Sequence, residues 1–114
     1  MSDESIAHLP PLSPESARAL IDRGALLVDV RSDAGRASAG TVPGALVVAK
    51  SDVIAFAEEH DPGRDIVVFC GSIEGSGPFV DYLAAQGFTG VAHVDGGFDA
   101  LAGQGVPIDR PSQQ

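Results

Sequence analysis

The sequence predicts an α/β domain: a mainly parallel sheet with helices on both faces, a three-layer α/β/α arrangement. Three observations carry this reading. Short runs rich in Val, Leu, Ile and Ala recur at 25–30, 46–49, 66–69 and 91–94. They are nearly continuous in apolar character, as strands covered on both faces are. Helix-like patterns lie between them, and the connections are too long for hairpins, which implies βαβ crossovers.

The chain begins with an arm, residues 1–12, in which Pro10-Pro11 favours extended backbone. Ser13 is a good N-cap and Pro14 suits the first helical position. Ala17, Leu20 and Ile21 follow at helical spacing, and Gly24 is a natural stop. The first strand, 25–30, ends in Asp29 and Arg31. Residues 32–39 are small and polar and suggest a single weak helical turn. A turn cluster, Gly40-Thr41-Val42-Pro43-Gly44-Ala45, leads into the second strand.

Ser51 can cap a helix running to His60, with Val53, Ile54 and Ala57 inward and Glu58 and Glu59 in solvent. The turn 61–65 precedes the central strand at 66–69. Phe79, Val80, Leu83 and Ala84 make an amphipathic stripe reaching Gln86-Gly87. After the strand at 91–94, Asp95-Gly96-Gly97 turns the chain and 98–102 reads as a short helix. The body of the domain spans 13–108, and 109–114 is a tail.

Composition narrows the function. The chain has 114 residues, enough for one modest core, and a net charge of −9. Its seven basic residues are scattered along the sequence, so no nucleic acid and no anionic membrane surface is expected as a partner. No apolar run reaches membrane-spanning length, and Met1-Ser2-Asp3-Glu4-Ser5 is too polar for a signal peptide. A cytoplasmic location is expected. There is one cysteine, which rules out an internal disulfide and a multi-cysteine zinc site. The histidines at 8, 60 and 93 have no ligand-spaced partners, so neither a metal nor a cofactor is expected. His93, within a strand, reads as a structural residue.

The chemistry concentrates at Ile66-Val67-Val68-Phe69-Cys70-Gly71-Ser72-Ile73-Glu74-Gly75-Ser76. A buried strand delivers Cys70 to the carboxyl edge of the sheet, where ligands of open α/β sheets bind. A helix expected to start near Ser76 turns its free N–H groups toward the sulfur. Gly71 and Gly75 let the backbone curl into an anion nest. Both features favour an anion at this point. Ser72 and Ser76 are candidate hydrogen-bond partners for a bound sulfur species, and Ser76 equally a helix cap. From these residues alone, Cys70 is either a nucleophile or a buried apolar residue ending a strand.

Leu27-Val28-Asp29-Val30-Arg31, the cluster 40–45, the run 66–70, Gly87-Phe88, Val91, Gly96-Gly97-Phe98 and Gly105-Val106-Pro107 occur in an order that resembles a single-domain rhodanese. The resemblance covers about 13–108. It implies a five-stranded parallel sheet and a sulfurtransferase in which Cys70 carries a persulfide. The donor is then a small sulfane-sulfur compound, and the acceptor is cyanide, a small thiol or a protein thiol. It makes residues 71–76 (Gly71, Ser72, Ile73, Glu74, Gly75, Ser76) the substrate-binding turn and Asp29 and Arg31 its structural support.

The sequence departs from that family in ways that bear on activity. Thr41 stands where members usually have His. Active members often have Arg at the places of Gly71 and Gly75, and Glu74 lies between these two. A turn with no cation and one carboxylate repels a dianionic donor such as thiosulfate, so a less anionic persulfide donor is expected. The same departure supports a second reading: a rhodanese-like binding or regulatory module with little turnover. Phosphate-ester chemistry is disfavoured, since Ser76 occupies the place where a related phosphatase branch needs Arg.

Overall fold

The computed structural model describes residues 11–71 and 73–110; residues 1–10, Ser72, residues 111–114 and the side chains of Ile73 and Glu74 lie outside that description. Most of the expected arm and tail falls there. In chain order the elements are α1 (Pro14–Asp22), β1 (Leu26–Asp29), α2 (Asp33–Ala39), β2 (Leu46–Val47), a 3-10 turn (Lys50–Asp52), α3 (Val53–Glu59), β3 (Ile66–Phe69), α4 (Ile73–Ala85), β4 (Val91–His93) and α5 (Gly97–Gly103).

The strands lie in the order β2-β1-β3-β4 and all pair in parallel. Among the described residues the sheet has four strands, not the five that the family resemblance implies. A single residue occupies the β4 edge instead. Leu12 N–H donates to the His93 carbonyl (2.7 Å), and its own carbonyl accepts from Asp95 N–H (2.8 Å). The reason is local. Directly after Leu12 the chain turns into α1: Ser13 caps it by accepting from Ser16 N–H, and Pro14, the next residue that could face β4, opens the helix and has no N–H to donate.

Strand alternation divides the core into two layers. Val28, Ile66 and Val68 turn to one face and pack with Phe56 of α3 and Phe79, Val80 and Leu83 of α4. Leu27, Val67 and Phe69 turn to the other and pack with Ala17 of α1 and Phe98 and Leu101 of α5. Every residue of β3 is buried, which is why its run is apolar throughout.

Three elements differ from expectation. The segment after β1 is a full helix, α2, because Ser32 Oγ accepts from Gly35 N–H (3.1 Å) and Asp33 occupies its positive end. In α3 the inward stripe is Val53, Phe56 and Ala57, while Ile54, expected inside, is 56% exposed. Phe56 wins the core position because its ring fills the gap beneath Phe79 and stacks on His60. Helix α4 begins at Ile73, three residues before the expected start, and runs through Pro78. Pro78 has no N–H for the Glu74 carbonyl, but the packing of Phe79, Val80 and Leu83 holds the helix past that point.

At the carboxyl end of β1, Asp29 and Arg31 form a buried pair. Arg31 Nη2 donates to Asp29 Oδ2 (2.7 Å), and Arg31 Nε and main-chain N–H both donate to Asp29 Oδ1 (3.0 Å each). Nη2 also reaches the Gly40 carbonyl at the end of α2 (2.8 Å), and the guanidinium lies over the Phe98 ring at 4.2 Å. Arg31→Met keeps the packing volume but strands the Asp29 carboxylate. The expected loss is about 3–5 kcal/mol of unfolding free energy, read from urea denaturation.

Candidate active site

The strand order places the topological switch between β1 and β3, since β2 lies to one side of β1 and β3 to the other. Crevices at such points, beyond the carboxyl ends of the strands, are where open α/β sheets bind ligands. Cys70 follows β3 directly. It is 8% exposed and sits on the α3/α4 face, above Val68.

The sulfur has space because Gly75 has no side chain. A methyl group at Gly75 would lie 2.6 Å from Cys70 Sγ and 3.2 Å from its Cβ. The same point is 3.3 Å from Nζ of Lys50. The sulfur and the ammonium therefore lie within about 6 Å of each other. Lys50 opens the 3-10 turn just after β2 and is exposed. It takes part in no ion pair among the described residues.

Beside the sulfur, the backbone is held by α5. Phe98 N–H donates to the Cys70 carbonyl (2.9 Å). Gly97, at φ +60°, comes so close that a methyl group there would sit 3.0 Å from the Gly71 carbonyl carbon. Only glycine satisfies both the backbone angle and the close approach.

The expected site residues thus have distinct placements. Gly71 is exposed at the end of β3. Ser72 lies outside the described residues. Ile73 and Glu74 begin α4, their side chains outside the description. Gly75 faces the sulfur. Ser76 is 1% exposed, and its hydroxyl pairs with His93 Nδ1 at 2.8 Å, beneath the turn. That contact gives His93 the structural setting expected of it. Asp29 and Arg31 stand at the end of the neighbouring strand, bonded to each other. Among the described residues no group of His, Cys, Asp or Glu is arranged to hold a metal ion.

A cleft of about 420 Å³ opens between the β1–α2 connection and the 3-10 turn, with Arg31, Asp33, Arg36 and Lys50 in its lining. Three of the seven basic residues of the chain therefore meet at one edge of the sheet, although the sequence spreads them over 20 positions. Lys50 was missed because it is remote from Cys70 in the chain. The signal was present all the same. It is the sole lysine, and it follows an apolar run; in a parallel sheet, residues that follow strands gather at one edge.

A model of the rhodanese-like domain matches residues 13–104. The chain belongs to that family. Among its relatives is the thiosulfate sulfurtransferase GlpE of Pseudomonas savastanoi pv. phaseolicola, 36% identical over 88 residues, 77% of this chain and 82% of the relative. GlpE of Pseudomonas fluorescens is 35% identical over the same share of this chain and 80% of its own. Among solved structures, the polysulfide-sulfur transferase homodimer of Wolinella succinogenes superposes with a TM-score of 0.77 at 23% identity, covering 97% of this chain and 85% of that one. A rhodanese-like domain protein of Staphylococcus aureus gives 0.73 at 21% identity, covering 91% and 100%. Both structural likenesses are likenesses of fold.

Within this rhodanese-like domain, Gly75 provides the space that the sulfur occupies. Gly75→Ala adds a helix-favouring residue to α4 but drives its methyl group into the buried sulfur. The overlap outweighs the helix gain, so the melting temperature should fall and alkylation of Cys70 by iodoacetamide should slow several-fold.

Proposed function

We propose that the protein is a sulfurtransferase that carries sulfane sulfur as a persulfide on Cys70. The observation that carries the reading is the position of the sulfur: at the carboxyl end of the central strand, against a side-chain-free residue in the first turn of α4. The N–H groups of a helix's first turn have no helical acceptors and favour an anion. The GlpE relatives, named as thiosulfate sulfurtransferases, support the same reaction class.

The thiolate of Cys70 attacks the outer sulfur of the donor. A new S–S bond forms to Cys70, and the donor's S–S bond breaks with its electron pair leaving on the departing group, sulfite when the donor is thiosulfate. The product is a cysteine persulfide anion. An acceptor then attacks the terminal sulfur: cyanide leaves as thiocyanate, and a small or protein thiolate leaves as a persulfide. The Cys70 thiolate is restored, with no net oxidation and no resolving cysteine. Main-chain amides at the start of α4 hold the charge on the terminal sulfur, as an oxyanion hole holds charge on oxygen.

Intact-protein mass spectrometry after exposure to thiosulfate or glutathione persulfide should show one added sulfur atom, removed by cyanide. Cys70→Ser should take up none and make no thiocyanate, while its circular dichroism and melting stay near those of the parent. A thiol that alkylates readily yet takes sulfur from neither donor would favour the alternative, a rhodanese-like binding module.

A further inference from the structure

The turn after Cys70 contributes no cationic side chain from its own sequence, yet a cation stands beside the sulfur. Two basic groups of the neighbouring cleft are already engaged. Arg31 is bonded to Asp29 and to the Gly40 carbonyl. Arg36 is paired with Asp33 and donates to the Arg31 carbonyl. Lys50 is different: its ammonium shares with Cys70 Sγ the small space beside Gly75, is exposed, and has no carboxylate partner among the described residues. Arg31 Nη1 is buried without a hydrogen-bond partner among the described residues.

We propose that Lys50 is the anion-binding residue of this site and selects donors of the thiosulfate or thiosulfonate class. Its ammonium receives the charged oxygens of the donor while the sulfane sulfur faces Cys70. The inference rests on the sulfurtransferase reading for its substrate and on geometry alone for its electrostatics. The bonds made and broken are those of the persulfide step above. Lys50 neither gives nor takes a proton; it holds the donor's charged oxygens equally before and during breakage of the donor's S–S bond, so its contribution is to binding. Because the chain carries a net charge of −9, a local cation is what lets a dianion approach this edge. The expectation of poor thiosulfate use considered only the residues next to Cys70 in sequence, and Lys50 reverses it.

The test compares alkylation of Cys70 by iodoacetate and by iodoacetamide. Both reagents attack the same thiolate, so the thiolate fraction cancels in the ratio of their rates, and the ratio reports the charge beside the sulfur. In Lys50→Met the iodoacetate-to-iodoacetamide ratio should fall by about threefold to tenfold at low salt, given one unit charge at this separation in a partly screened site. Lys50→Arg should restore most of it. With cyanide as acceptor, Lys50→Met should raise the KM for thiosulfate by a similar factor and leave kcat within about twofold, the signature of a lost binding contact. A ratio unchanged in Lys50→Met would overturn the proposal, as would an equal KM in the two proteins. The alkylation ratio requires no sulfur transfer, so it stands or falls apart from the persulfide measurement.

Discussion

The buried pair of Asp29 and Arg31 is the constraint on which the rest of this structure depends. Two charges removed from water stay together only if nearly every donor and acceptor is used. Asp29 accepts three hydrogen bonds from Arg31, and the guanidinium passes one more to Gly40. Its face rests on Phe98, the second residue of α5. One side chain thereby joins the end of β1, the end of α2 and the start of α5. The start of α5 in turn holds the Cys70 peptide through Phe98 N–H and the close approach of Gly97. The position of the Cys70 sulfur is thus set from a neighbouring strand, through the Asp29–Arg31 pair.

The second requirement is empty space. Gly75 and Gly97 matter for the side chains they lack. One leaves room for Sγ, and the other lets α5 lie against the Cys70–Gly71 backbone. Where the family often has an arginine, this chain has Gly75, and its path past the sulfur leaves no room even for a methyl group. A cation reaches the sulfur instead from across the sheet edge, on the 3-10 turn after β2. The charge is supplied through tertiary contact, and the local turn stays small. Arg31 and Arg36 already answer Asp29 and Asp33, which leaves Lys50 as the member of the basic group with no carboxylate partner among the described residues.

Much of this architecture was legible because buried parallel strands carry their signal within a few residues. The runs at 26–28 and 66–69 are apolar throughout, and the structure buries all of β3. Ser13-Pro14 marked the start of α1 through short-range capping, which needs no partner from elsewhere. The errors arose where distant packing outweighs local preference. Ser76-Gly77-Pro78 reads as a helix start, yet α4 begins at Ile73 because Phe79, Val80 and Leu83 anchor the helix from beyond the proline. Ile54 was expected in the core with Val53 and Ala57, and Phe56 takes its place because its ring packs against Phe79 and His60. Among the described residues the expected fifth strand is a bridge at Leu12, because the chain turns into α1 directly after it.

By itself the sequence determined the alternation of strands and helices and the carboxyl-edge position of Cys70, since both follow from patterns within a few residues, while the supporting role of Asp29 and Arg31 came from the family resemblance. Only the tertiary structure decided that Lys50 stands beside the sulfur, that Ser76 turns inward to His93, and that Gly75 is needed for room. Lys50 and Cys70 are 20 positions apart and Ser76 and His93 17, so separate crossovers bring them together, and only the packed path of the turn sets Gly75 against the sulfur; such contacts leave no local trace in composition or spacing.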